Sequence, residues 1–328
     1  MTVNTQKLVR VLDGPLGPTG TYKGVQILPA FTGPTGTFPV WGQIDALQQA
    51  AGPTGTWEDV YALTGLTGLA ARNAKTVIIP GYTGPSSNYN PVTALGSSLI
   101  EYWDANRSDT ITALSDATYT DAVSSWLGLV TGANLAQSTP NLKPVYDPTG
   151  LNGAPCITFD GAQQYLKCTD AAFMSLLPAG ATPCEIWVVC SQDVAAADAT
   201  TRHVAGYAAT SVVNGRSVAR LPVGGVNRAR SYTGTGAAAT NATDTHVDLS
   251  GVHVLRSIHG ATQTSIDVDS AGAVTAAVVP NTSTPTLFTV GTIPALAASN
   301  WWQGKVSAVL VTAPLTTQQA TDLHNYFG

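Results

Sequence analysis

From about residue 98 onward, short apolar runs alternate with Gly, Asn and Ser turns at close intervals. That rhythm constrains the fold more than any other feature. Strands are expected over 154–159, 164–167, 185–191, 203–208, 247–258, 264–269, 274–279, 286–290 and 304–311. Strands this short and this closely spaced indicate a sandwich or barrel. Ile266 and Val268 alternate with Asp267 and Asp269, as on a half-buried strand, whereas Ile186-Trp187-Val188-Val189 is apolar on both faces and reads as a central one. Asp160-Gly161, Gly224-Gly225 and Asp269-Ser270-Ala271-Gly272 are the expected turns. One helix closes the chain. Thr316 and Gln319 have capping-box spacing, Leu315 and Ala320 form a staple, and Ala320, Leu323 and Phe327 make a buried stripe expected to cover one end of the sandwich.

The first 95 residues differ. Gly-Pro-Thr-Gly-Thr occurs three times, as Gly17-Pro18-Thr19-Gly20, Gly33-Pro34-Thr35-Gly36 and Gly52-Pro53-Thr54-Gly55, each followed by Thr. The spacings of 16 and 19 residues are too irregular for a solenoid. Collagen is excluded because the Gly register breaks at Gly24, and a triple helix needs Gly at every third position. Pro presets φ and Gly permits positive φ, so each copy is a turn element. Between the copies lie apolar pieces such as Val25–Leu28, Phe38–Trp41 and Val77–Ile79, and 44–51 and 57–63 have the pattern of short helical turns. We read 1–95 as an extended anchoring arm ordered by burial against other chains. Residues 96–328 are then the globular unit, with the turn-rich 81–91 as linker.

Composition limits the function. Charged residues make up 11% of the chain, well below the roughly 25% of ordinary domains, and the net charge is −5. A general nucleic-acid binder needs a basic face, so that class is not expected. The local exception is Arg216, Arg220, Arg228 and Arg230, a run without an acidic residue, read as hairpin edges or as a contact for an acidic glycan or a neighbouring subunit. No apolar run reaches the roughly 20 residues that span a bilayer, and Met1–Lys7 carries no leader-like apolar stretch. Membrane insertion is not expected.

Cys156, Cys168, Cys184 and Cys190 lack the close pairing of zinc sites. Cys156 and Cys168 are expected on two arms of one hairpin, and Cys184 and Cys190 on one face of a strand. Either four buried small residues or late disulfides fit that pattern.

Residues 98–328 resemble the concanavalin A-like, or laminin G-like, jelly roll of bacteriophage and bacterial surface proteins. The resemblance rests on Tyr102-Trp103-Asp104-Ala105, Val123 with Trp126, Pro144 with Tyr146, Phe159-Asp160-Gly161 with Tyr165-Leu166, and Gly304-Lys305-Val306 through the closing helix. An arm joined to such a domain is similar to phage head-fibre, decoration and tail-fibre proteins. The resemblance implies a virion-surface protein made in the host cytoplasm, docked on the capsid, homo-oligomeric and trimeric. The runner-up is a carbohydrate-binding adhesin or tail-fibre protein that recognises a host-surface glycan. It also implies calcium in rim loops, for which Asp244, Asp248, Asp267 and Asp269 are the candidate ligands; no other cofactor is expected.

Trp301 and Trp302 would face opposite sides of a strand, so at least one is exposed or lies at an interface. With Arg228 and Arg230 they are the candidate ligand-binding residues. Retaining glycosidases need two carboxylates about 5 Å apart. Glu185 lacks an acidic same-face neighbour, and Glu101 with Asp104 has the wrong parity for one strand face. His253 and His259 share parity without a third ligand, and no nucleophile elbow or phosphate loop is present. These patterns predict a non-enzymatic protein.

Overall fold

The computed structural model describes residues 89–328, apart from 115–119, 194–197, 210, 250 and 295–299, together with Val60–Tyr61 and Thr76–Val77. The chain divides after Asn90 into two units. In the first, β1 (Val60–Tyr61) pairs in parallel with β2 (Thr76–Val77). The helical turn expected over 57–63 is therefore a strand where it is described. A β-branched Val beside an aromatic suits an extended backbone better than a helix. The three repeats lie outside the described residues.

The second unit runs through α1 (Pro91–Leu95), β3 (Leu99–Asp104), β4 (Ile111–Leu114), β5 (Ala122–Leu127), β6 (Asn134–Ala136), β7 (Val145–Leu151), β8 (Ala154–Asp160) and β9 (Leu166–Cys168). It continues with α2 (Ala171–Leu176), β10 (Cys184–Gln192), β11 (Arg202–Ala208), β12 (Gly215–Val223), β13 (Val226–Gly234) and β14 (Ala239–Thr243). β15 (Val252–His259), β16 (Gln263–Val268), β17 (Val274–Ala277), β18 (Leu287–Val290), β19 (Gln303–Thr312) and α3 (Thr317–Phe327) complete it.

The mostly-β, antiparallel architecture with a closing helix matches the expected fold class. Hydrogen-bonded neighbours trace two layers. One runs β17-β16-β15-β10-β19, where β19 pairs along one part with β3 and along the other with β8, and β8 pairs with β7. The other runs β14-β13-β12-β11-β18-β9-β6-β5-β4. Among the described residues, the strand pair Ala122–Val145 bridges them.

Strand alternation fills the space between the layers. Trp103, Ile186, Val188, Leu255 and Val309 point in from the first layer, and Leu166, Val218, Phe288 and Val290 from the second. Trp103 stacks on Phe288 across the gap with centroids 5.1 Å apart, and Phe173 of α2 meets Trp103 edge-on at 5.4 Å. Aromatic pairs of this kind add roughly 0.5–1.5 kcal/mol beyond area burial.

Gly224 and Gly225, both with positive φ, turn β12 into β13 across the Val223–Val226 pair, as expected of a two-residue hairpin. After β8, Asp160 Oδ1 accepts from the backbone N–H groups of Ala162, Gln163 and Gln164, which fixes the Asp160-Gly161 turn.

Helix α3 carries the expected reciprocal cap between Thr316 and Gln319. Its position differs from the expectation. It lies on the outer face of the first layer, where His324 meets Trp187 at 4.9 Å and Phe327 meets Tyr102 at 6.3 Å. The outward Trp187 and Tyr102 give that face an apolar surface that a helix stripe can bury, and the end of a sandwich offers none.

The four cysteines are free and buried. Cys156 stands on β8 in the first layer and Cys168 on β9 in the second, so they are not the two arms of one hairpin. The chain changes layers between them at Gly161. Cys184 and Cys190 share the inward face of β10, as expected.

Candidate functional site

The outer face of the second layer gathers most of the sequence candidates. Leu166 and Cys168 point into the core, so their neighbours Tyr165 and Lys167 point outward. Tyr165 stacks on Trp301 with centroids 5.6 Å apart and planes 26° from parallel, and both rings are partly exposed. Arg202 fixes this pair. Its guanidinium donates to the carbonyls of Trp301 (2.8 Å) and Gly161 (2.9 Å) and pairs with Asp198 at 2.7 Å. Burial alone would raise the Asp198 carboxyl, but hydrogen bonds from Thr200 and Arg202 bring it down to about 2. Asp198 thus stays ionised across the physiological range.

Trp302 is a correction. It is 1% exposed and belongs to the core, so only Trp301 of the pair can meet a ligand.

The arginine run also separates by parity. On β12, Arg216 and Arg220 share the inward face with Val218 and are buried. Arg216 donates to the carbonyls of Gly180 and Thr182 and to Cys184 Sγ, and Arg220 donates to Asn227 Oδ1 and the Thr200 carbonyl. On β13 the inward residues are Ala229, Ser231 and Thr233. Arg228, Arg230 and Tyr232 therefore face out and are partly exposed. Arg230 donates to Thr243 Oγ1 (2.8 Å) and to the Tyr232 hydroxyl (2.9 Å) and lies over the Tyr232 ring at 5.5 Å. Tyr232 in turn packs on His203 at 5.0 Å. Burial, with the Arg230 charge second, holds His203 down at about 3, so it stays neutral.

The other candidates are structural. Glu185 accepts from Trp187 Nε1, Arg256 and the Leu315 N–H. Glu101 accepts from the N–H groups of Tyr102, Val130 and Thr131 and from the Thr131 hydroxyl, and a Cβ at Gly128 would run into its carboxylate. Both buried carboxylates hold the framework. Asp244 holds its own turn through His246 and Val247, and Asp248 accepts from the Asn227 N–H. Asp267 and Asp269 sit beside α3 with His324 and His253. The four carboxylates named for calcium do not converge, and among the described residues no three His, Cys, Asp or Glu side chains form a metal cluster. No described helix is long and apolar enough to cross a membrane.

Sequence reasoning missed Tyr165 and Arg202 as parts of the platform. The available signal was parity: Tyr165 is two residues from the outward Lys167.

No family model matches the chain, and no curated protein does. Among solved structures it is similar to an arabinofuranosidase complexed with arabinofuranosyl-α-1,2-xylobiose, at 10% identity over 73% of this chain and 64% of that one, with a TM-score of 0.50. A GH54 α-L-arabinofuranosidase soaked with a cyclic sulfate inhibitor matches at 9% identity over 73% and 64%, with a TM-score of 0.49. A Trypanosoma rangeli sialidase in complex with sialic acid matches at 13% identity over 76% and 35%, with a TM-score of 0.47. The chain spans less than two thirds of the length of each of these enzymes. At such identities the likeness is one of fold. It nevertheless corrects the expectation of a non-enzyme, because a glycoside hydrolase stands among the chains that share this architecture.

Proposed function

We propose that this chain is a virion-surface protein of the bacteriophage head-fibre or decoration type, whose sandwich, of the laminin G-like kind, recognises a glycan. The carrying observation is the Tyr165–Trp301 stack, partly exposed and clamped by Arg202. A pre-ordered aromatic surface meets the C–H faces of a sugar at little ordering cost at binding. The sparse charge of the chain and its repeat-bearing first 95 residues support the particle-surface part: the arm docks on capsid protein, and copies associate symmetrically, as trimers.

The test is a glycan array with the full-length chain, followed by titration of the best hit against Trp301→Ala. Selective binding that falls at least tenfold supports the reading; a flat array contradicts it. The panel includes arabinofuranosyl-xylobiose because of the shared fold, and release of free sugar in the same wells scores hydrolysis. Labelled electron microscopy of purified particles tests the location, with fixed stoichiometry on the head as the expected result.

A further inference from the structure

Among the described arginines, Arg107, Arg202, Arg220 and Arg256 each have a carboxylate within ion-pair distance. Arg216 is buried against carbonyls and a thiol. Arg228 and Arg230 alone combine partial exposure with no carboxylate partner. They stand two residues apart on one face of β13, so their Cα atoms are roughly 7 Å apart.

Arg230 is not a loose side chain. Thr243 and Tyr232 hold Nε and Nη1, the ring supports the guanidinium plane from one side, and Nη2 has no partner among the described residues. The Arg228 side chain makes no hydrogen bond within the described residues. On β14, the end strand of the layer, Thr243 stands opposite Arg230 and Asn241 opposite Tyr232. A chain of net charge −5 therefore presents two uncompensated, adjacent guanidiniums, one of them pre-oriented. Planar guanidiniums bind carboxylates through two parallel N–H···O bonds, which is stronger and more directional than a single contact.

We propose that Arg228 and Arg230 form an anion subsite for the carboxylate of an acidic sugar, a uronate or a sialate. This rests on the glycan-binding reading and narrows its ligand to a class. β13 lies four strand positions from β9 in the second layer, which puts the subsite roughly 19 Å from the strand that follows Tyr165. One extended oligosaccharide can meet both. Nucleic acid is disfavoured because two arginines neutralise too few phosphates to hold a polyanion at physiological salt.

The test uses the full-length chain and two matched ligand pairs: oligogalacturonate with its methyl ester, and sialyl-lactose with lactose. The subsite predicts that the acid form in one pair binds at least tenfold more tightly than its neutral partner, and which pair responds tells uronate from sialate. It also predicts that Arg228→Gln and Arg230→Gln each weaken that binding about tenfold. Arg228→Gln removes no internal hydrogen bond, so it is expected to fold as the parent does, and the near-UV circular dichroism spectrum checks this. Equal binding of acid and neutral forms, or unchanged binding by folded Arg228→Gln, overturns the subsite. So does binding of a single-stranded oligonucleotide as tight as that of the acidic sugar. Neutral-only binding that depends on Trp301 removes this inference and leaves the glycan reading intact, whereas failure of every glycan removes both.

Discussion

Arg216 donates to the sulfur of Cys184 across 3.0 Å in the interior of the sandwich, and no carboxylate of the described residues stands within ion-pair distance of its guanidinium. Cys184 also lies 3.1 Å from the Tyr207 hydroxyl, which donates to the Pro178 carbonyl. One buried cation thus ties β10, β11, β12 and the 178–182 turn together. Arg216→Met would leave two carbonyls and the thiol without a donor and should cost on the order of 3 kcal/mol in urea unfolding.

The remaining thiols are expected to be inert. Burial pushes Cys156, Cys168 and Cys190 up, away from the reactive thiolate. Native protein at neutral pH should take up iodoacetamide at these three positions only when denaturant opens the core, as peptide mapping would show.

A second buried network fixes a tautomer. Thr264 donates to the Ile258 carbonyl, Ser231 to Thr264, and Ser257 to Ser231. Ser257 has no second proton, so His259 Nε2 must carry the hydrogen that reaches it at 2.9 Å, and Nδ1 accepts from Thr233 at 2.8 Å. Burial, and then the Arg216 charge, holds His259 well below the usual histidine range. Nitrogen NMR should find the Nε2–H form with no titration between pH 5 and 8, and Ser257→Ala should cost roughly 1–2 kcal/mol.

Acid should loosen α3. Burial alone would raise the Asp267 and Asp269 carboxyls, but the His324 ring 3.7 Å away and a hydrogen bond from the Gly272 N–H at Asp267, and hydrogen bonds from His253 and the Val254 N–H at Asp269, bring both below the ordinary aspartate value. A folded pKa below the unfolded one, about 3.9, adds stability above that pH, and the gain is lost as pH falls through the folded value. Tm should stay level from pH 7 to 5 and drop below about pH 4, and Asp267→Asn should flatten the drop.

Removing the stripe of α3 should uncover Trp187. Leu323→Ala is expected to cost roughly 2–5 kcal/mol and to shift tryptophan emission to the red. Thr316→Ala removes only the cap and should cost about 1 kcal/mol.

Much of the sandwich was legible because its central strands bury both faces. β10 and β19 read as apolar runs, and the Gly224-Gly225 and Asp160-Gly161 turns carry the residues their backbones require. β12 and β13 were harder to see. Their inward faces hold Arg216, Arg220, Ser231 and Thr233, and a strand that buries polar side chains has no hydrophobic period. The separation of the arginine run into buried and outward pairs followed from that same parity and could not be read without the strands. Trp302 misled because two adjacent tryptophans look alike until the layer supplies a direction. The clamp on Trp301 joins Asp198, Arg202 and Gly161, and contacts between such distant parts of the chain leave no local pattern.

The account stands on Trp301 as a glycan platform. Titrating the full-length chain and Trp301→Ala with the strongest array ligand, by calorimetry, tests it most directly. The account predicts at least a tenfold weaker Kd with unchanged near-UV circular dichroism outside the tryptophan bands. Equal affinities would contradict it.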